Sequence, residues 1–172
     1  MIKKNILFIT HDTSLFGANQ SLINMISSLK SENVILKIVF PERGPICELF
    51  DDLGIEYLIV KYKNEAIDAG KGIIVNFFNF LRLINKFFLN TIALKQLQKI
   101  VRLHEITIVH SNSSVVGIGY ELAKLENIRH VWHLREYIDL DHGMEVFGGI
   151  KRLKERIKKS DKIICISEGI SK

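Results

Sequence analysis

The sequence predicts an α/β protein: a doubly wound, mostly parallel six-stranded sheet with helices on both faces. Three observations carry this. Short apolar runs bounded by polar or turn residues recur along the chain. Stretches with apolar residues at helical spacing separate them, which is the alternation of a parallel sheet covered on both sides. And 172 residues that are 47% hydrophobic support one domain with a sizeable core, but not two large ones.

The first strand is Asn5-Ile6-Leu7-Phe8-Ile9-Thr10. A loop, His11 to Gly17, leads to a helix from about Ala18 to Ser31 carrying Leu22, Met25, Ile26 and Leu29. Val34 to Phe40 is the second strand, stopped by Pro41, which cannot donate to a ladder. Pro45 opens the next helix, Ile46, Leu49, Phe50 and Leu53 form its apolar face, and Gly54 marks its end. Ile55 to Val60 is the third strand, and Lys61 to Gly72 reads as a loop.

Ile73 to Leu103 is rich in Phe, Leu and Ile, with Asn76, Asn79, Arg82, Lys86 and Asn90 at helical intervals. That pattern predicts a long helix with a polar stripe, otherwise buried on most sides, with a break near Asn90-Thr91 as a variant. Partial contact with a membrane surface or a hydrophobic partner is the alternative reading of so apolar a helix. No apolar run reaches the length of a membrane span.

Ile106 to His110 is the fourth strand, and Ser111 to Ser114 supply turn and capping chemistry. In the following helix Gly117 and Gly119 allow close packing on the sheet. Arg129 to Leu134 is the fifth strand. Tyr137 to Gly149 is a long loop, and Ile150, Leu153 and Ile157 form one face of a basic helix. The sixth strand is Lys162 to Ser167. Right-handed crossovers make the whole Rossmann-like.

Cys47 and Cys165 stand far apart outside any metal or disulfide motif, which fits a reduced, cytoplasmic protein. The charged N-terminus precedes too short an apolar run for a secretory signal. A net charge of +5 is compatible with an anionic ligand or an anionic membrane surface. Nucleic acid is not expected as a partner, because no binding motif appears and the aromatics sit in apolar runs.

The chemistry concentrates in Arg129-His130-Val131-Trp132-His133-Leu134-Arg135-Glu136. Ligands of open α/β sheets bind outside the carboxyl ends of the strands, where His133, Arg135 and Glu136 fall. The plainer alternative is a satisfied core histidine and a solvated Arg-Glu pair. Gly17 and Ala18 open a helix whose free N–H groups and dipole attract anions; an ordinary tight turn is the alternative. His11, after the first strand, and Ser111 and Asn112, after the fourth, are candidate acceptor contacts, with helix capping the other role for the last two. His110 and His130 read as structural. Asp139-Leu140-Asp141 has the form of a metal-binding pair of carboxylates, but such short matches are common.

In chain order, Gly17-Ala18-Asn19-Gln20-Ser21 at a helix start, Val109-His110-Ser111-Asn112-Ser113, Trp132-His133-Leu134-Arg135-Glu136 and Ile163-Ile164-Cys165-Ile166-Ser167-Glu168 resemble the N-terminal half of a retaining GT-B glycosyltransferase of family 4. The resemblance covers almost the whole chain. It departs from the family at Gly17-Ala18, where two adjacent glycines are usual. It implies that residues 1–172 form an acceptor-binding domain. The C-terminal donor-binding domain is not contained in them, so the fragment alone is expected to be inactive.

The resemblance further implies that His133 contacts the transferred sugar, as the catalytic-site histidine that orients rather than attacks. Gly17 and Ala18 would face the donor diphosphate, and Asn19 and Gln20 would line the same cleft. Arg135 would hold an anionic acceptor group or brace Glu136. The implied partners are a nucleotide-sugar donor and a glycan or lipid-linked acceptor, in bacterial surface polysaccharide synthesis at the inner face of the cell membrane. The nucleotide-sugar is a substrate; no cofactor and no metal are expected. The basic segment Lys151 to Lys162 would touch anionic lipid peripherally, or simply be a solvated helix.

Other classes fit less well. A nicotinamide or flavin domain lacks G-x-G-x-x-G after the first strand and an acidic residue closing the second. A phosphoreceiver lacks an aspartate ending the third strand, where Val60-Lys61 stands. A free-standing sugar- or nucleotide-binding module without catalytic activity remains the main alternative.

Overall fold

A computed structural model describes residues 4–15, 17–29, 34–68, 73–135, 144–146 and 148–170. The main sheet has six strands: β1 (Lys4–Ile9), β2 (Val34–Phe40), β3 (Tyr57–Ile59), β5 (Ile108–Ser111), β6 (Arg129–Leu134) and β8 (Lys162–Cys165). Their spatial order is β3-β2-β1-β5-β6-β8, and every pairing is parallel. Counting these six alone, the order is third, second, first, fourth, fifth, sixth, the Rossmann arrangement. The direction of winding reverses between β1 and β5, which opens a crevice outside their carboxyl ends.

Helices cover both faces. Alternation along β1 sends Phe8 to one side and Leu7 and Ile9 to the other. On the Phe8 side lie α1 (Gly17–Leu29) and α2 (Pro45–Asp52), with Leu22, Ile26, Ile46 and Phe50 packed on Ile38 and Phe40. On the Leu7 side lie α3 (Ile73–Leu103) and α4 (Gly117–Glu126), which contribute Ala93, Leu97, Val101 and Leu122. A third cluster joins Trp132 of β6 to Tyr120 of α4 and Leu153 of α5 (Gly149–Lys158).

Several helix ends follow local chemistry. Pro45 stands at the start of α2, and Gly54, at φ +60, follows its end. Asn127, at φ +52, closes α4 in the left-handed conformation that Asn tolerates. Cys47 and Cys165 are free thiols.

Four expectations need correction. The third strand is shorter than Ile55 to Val60. The stretches read as loops contain β4 (Ala66–Asp68) and β7 (Met144–Val146), which pair antiparallel as a separate ribbon. Three-residue strands carry too few positions for a period-2 signal to show. No break interrupts α3 at Asn90-Thr91, because the Asn90 side chain is occupied outside the helix. Its Oδ1 accepts from the Lys63 N–H at 2.8 Å and its Nδ2 donates to the Lys63 carbonyl at 3.0 Å.

The fourth correction concerns which way α3 faces. Lys86 and Asn90 of the polar stripe turn toward the body, where Lys86 Nζ donates to the Ala66 carbonyl. The same azimuth continues into buried Ala93 and Leu97. The opposite face is apolar and exposed at Leu81, Ile84, Phe87, Phe88 and Ile92. So the described first half of α3 is not buried on most sides. Among the described residues, no helix is long and apolar enough to cross a membrane.

Candidate functional site

Three segments converge at the switch point: the β1–α1 loop, the end of β5 and the end of β6. A side chain ties them together. Asn112, fully buried after β5, donates through Nδ2 to the Ala18 carbonyl of α1 at 3.3 Å. Its Oδ1 accepts from Arg135 Nε at 3.2 Å and Nη2 at 2.9 Å. The Arg135 backbone N–H donates to Ser114 Oγ at 3.2 Å. Arg135 Nη2 also lies 3.3 Å from His133 Nδ1.

That last contact decides a tautomer. A guanidinium can only donate, so Nδ1 must accept, and the ring proton sits on Nε2. Burial pushes the His133 pKa down to about 4, and the Arg135 charge adds to the effect. His133 is therefore a neutral imidazole with an Nε2–H to offer. It can donate to a hydroxyl or an oxyanion; it cannot take a proton at Nε2 while Arg135 holds Nδ1. The ring is 8% exposed, at the carboxyl end of β6.

Behind it stands His110, 5% exposed, with ring centroids 5.6 Å apart. His110 packs on Phe8 at 4.7 Å, and its buried Nε2 has no hydrogen-bond partner. Burial, with the neighbouring His133 and Arg135, pushes its pKa down to about 3. His130 points to the other face of the sheet, between Ser111 Oγ and Ser160 Oγ at 2.9 Å each, and burial lowers it to about 4. Both rings are packed into the interior, as the sequence reading has them.

The β1–α1 loop is self-bonded. Asp12 Oδ1 accepts from Asn19 Nδ2 at 2.6 Å, and Asn19 Nδ2 also donates to the Ser14 carbonyl at 2.8 Å. His11 Nε2 lies 3.2 Å from Asp12 Oδ2, and that hydrogen bond leads in holding the Asp12 pKa down to about 2. Gly17 starts α1 with φ +38, a conformation that costs glycine little, and is exposed, as is Gln20. Below the loop, Tyr62 Oη donates to the Thr10 carbonyl at 2.6 Å and lies 3.2 Å from that of Val39, locking the ends of β1 and β2. A hollow of about 600 Å³ opens there, lined by His11, Asp12, Arg43, Lys61 and Asn64 among others.

The structure thus sorts the residues singled out above. Ala18, Asn112, Arg135 and His133 form one connected group, and Gly17 precedes Ala18 at the start of α1. His11 borders the adjoining hollow, and Gln20 is exposed on α1. Asn19 is fully buried and shapes the loop rather than facing outward. Ser111 is fully buried on the opposite side of the sheet, where it lies 2.9 Å from His130 and donates to the Val116 carbonyl at 3.0 Å. A substrate contact by Ser111 or Asn19 would need that packing opened; both are structural here. Glu136, Asp139 and Asp141 lie outside the described residues. Among the described residues no cluster has the make-up of a metal site.

Sequence reasoning missed two residues beside the site. Glu65 accepts from Arg156 Nη1 at 2.7 Å and pairs with Nη2. Arg156 is 6% exposed and sits over the Trp132 ring, 5.8 Å from its centroid. A Cβ on Gly117 would strike the Glu65 carboxylate, which explains a glycine at the start of α4. Glu65 and Arg156 are far apart in sequence, and neither stands in a motif, so only the fold reveals the pair.

No family model matches the sequence, and no curated protein matches it. Solved structures do. A lipopolysaccharide outer core galactosyltransferase, WaaB, aligns over 96% of this chain with TM-score 0.61 and 14% identity. MurG of Acinetobacter baumannii aligns over 94% with TM-score 0.57 and 12% identity. UGT73P12 of Glycyrrhiza uralensis aligns over 98% with TM-score 0.52 and 12% identity. The fold is that of the GT-B glycosyltransferases. This chain spans less than half the length of these GT-B neighbours: 40%, 45% and 45% of theirs. At such identities the likeness is one of fold, and no residue role passes from them.

Proposed function

We propose that the chain is the acceptor-side domain of a retaining nucleotide-sugar glycosyltransferase resembling family 4. It would work with a donor-binding domain to pass a sugar to a glycan or lipid-linked acceptor. The setting is bacterial surface polysaccharide synthesis, at the cytoplasmic face of the membrane. The observation that supports this best is the Asn112–Arg135–His133 chain at the switch point, which presents a neutral Nε2–H. A donor of that kind suits a sugar hydroxyl, and a front-side retaining transfer asks a side chain to orient rather than attack. Gly17 and Ala18, at the α1 N-terminus, would meet the donor diphosphate through free N–H groups. Arg135 adds positive charge to the same end of the sheet.

The test is transfer by the complete two-domain enzyme carrying His133→Ala and His133→Gln. Ala should lower kcat/KM by about 100-fold or more, the size of a lost oriented donor, while Tm changes by no more than about 3 °C. Gln keeps an N–H and should recover part of the rate. A large drop in Tm with normal specific activity would make His133 a packing residue and end the proposal. A second reading is a free-standing sugar- or nucleotide-binding module without catalytic activity, which the same polar group at the strand ends would serve. Saturable nucleotide-sugar binding with no turnover in the complete protein would select it.

A further inference from the structure

We infer that the outward face of α3 docks on an anionic lipid bilayer. The inference deepens the reading above, since a lipid-linked acceptor resides in such a bilayer, yet it stands on its own geometry. Leu81, Ile84, Phe87, Phe88 and Ile92 are 39 to 64% exposed. Spacing of three and four puts Leu81, Ile84, Phe88 and Ile92 on one face, opposite buried Ala93, Leu97 and Val101, with Phe87 at its flank. From Leu81 to Ile92 the stripe rises about 17 Å at 1.5 Å per residue. Single exposed apolar residues are ordinary; a continuous row is not.

The charge around the row chooses the occupant. The same azimuth continues, seven residues beyond Phe88 and Ile92, into exposed Lys95 and Lys99. On its flank, Phe87 and Leu94 share a hollow of about 510 Å³ with Leu125, Lys124 and Arg152 of the neighbouring helices. Lys124 and Arg152 are exposed. The carboxylates of this surface are largely committed. Glu65 and Glu121 face Arg156, Glu121 also lies near Arg152, and Glu126 bonds Arg102 and Gln98. Exposed Glu155 on α5 stands among Lys151, Lys154, Lys158 and Lys159. An apolar row edged by lysines is the pattern of an interfacial helix, with aromatic rings in the acyl boundary and cations at the headgroups. Protein interfaces are instead depleted in lysine, and a second copy would set these cations against their own kind. The sequence reading offers lipid contact both for Lys151–Lys162 and, as the alternative to burial, for the long helix; here α3 is the inserting element and the basic helix an electrostatic flank.

The test is co-sedimentation of the chain with phosphatidylglycerol-containing vesicles and with pure phosphatidylcholine vesicles. Binding should be confined to the anionic vesicles and weaken with salt. Phe87→Ser/Phe88→Ser should lower the partition constant at least about tenfold. Lys95→Gln/Lys99→Gln should lower it about fivefold for each lysine. All four positions are exposed, and thermal melts of both variants should overlay the parent, which separates lost docking from lost folding. No binding to anionic vesicles, or binding indifferent to Phe87→Ser/Phe88→Ser, overturns the inference. So does a concentration-dependent dimer that the same substitution abolishes, because the stripe then faces a second copy. Transfer to a water-soluble acceptor does not enter this test, so its failure leaves the His133 reading standing, and the reverse holds too.

Discussion

The carboxyl end of the sheet and the outward face of α3 invert the usual partition of side chains in opposite senses. At the sheet end, polar groups are buried: Asn19, Ser111 and Asn112 are fully covered, and His110, His130 and His133 nearly so. On α3, large apolar groups are in water. Burying a polar group costs free energy unless it is hydrogen-bonded, and exposing an apolar row forgoes the gain of covering it. The first region meets its cost with a connected set of hydrogen bonds, from Ala18 through Asn112 and Arg135 to His133. The second has no such compensation among the described contacts. A compensated inversion marks a site built to be rigid; an uncompensated one marks a surface waiting for something apolar.

Removing one partner from a compensated buried polar pair should therefore be costly, and changes on α3 nearly free. The largest effect is expected at Arg156→Met, which leaves the largely covered Glu65 carboxylate without its partner. About 3–5 kcal/mol should be lost in denaturant unfolding, and Arg156→Met/Glu65→Gln should recover much of it. If the single variant unfolds like the parent, the pair is a bystander.

Asn112→Leu should come next. It removes the acceptor that Arg135 Nε and Nη2 share and releases the Ala18 carbonyl, a loss of about 1–3 kcal/mol. With Arg135 no longer anchored on Asn112, the smaller, charge-borne part of the lowering at His133 should weaken while the larger part, due to burial, remains, so the ring should titrate slightly higher, readable from its NMR proton shifts. A stability loss without that titration change would show that Asn112 packs but does not organise the site.

A further effect follows from pH. The His110, His130 and His133 pKa values, about 3, 4 and 4 when folded, lie below the 6.5 of an exposed histidine. The unfolded chain thus binds more protons between about pH 6.5 and pH 4, so stability is full above that window and falls as pH drops through it. Asp12, held near 2 against 3.8, acts lower: its contribution is present above about pH 4 and fades toward pH 2. Tm measured from pH 7.5 to pH 4.5 should decline steadily, by about 5 °C or more overall. A flat profile would show that these rings are not held neutral by burial.

The smallest change in stability should come from Phe88→Ser, within about 0.5 kcal/mol. A loss several times larger would mean that the stripe is packed in the folded chain rather than open.

Much of this was legible in the residues. Six strands, their alternation with helices, and the placing of His133 and Arg135 at a strand end follow from apolar runs, helical spacing and turn residues, which act over a few positions. Arg129 to Leu134 is the fifth strand in both descriptions. The β4–β7 ribbon was not legible, because each strand is short and its partner lies some 80 residues away. Periodicity showed that α3 has a polar stripe, yet not where it points. A stripe of Lys86 and Asn90 faces water in an isolated helix; here it meets the backbone of residues 63–66, whose carbonyls and N–H group need partners.

The sequence by itself determined the local periodicities, and with them the class of fold, the stops at Pro41 and Gly54, and the clustering of His133 and Arg135 on one short segment. Only the tertiary structure decided which nitrogen of His133 carries the proton, which serine is buried, and which side of α3 is left in water. The physical reason is range. Backbone preference and hydrophobic spacing act between neighbours in the chain. A tautomer, a buried ion pair and the outward direction of a helix depend on groups that only folding brings together.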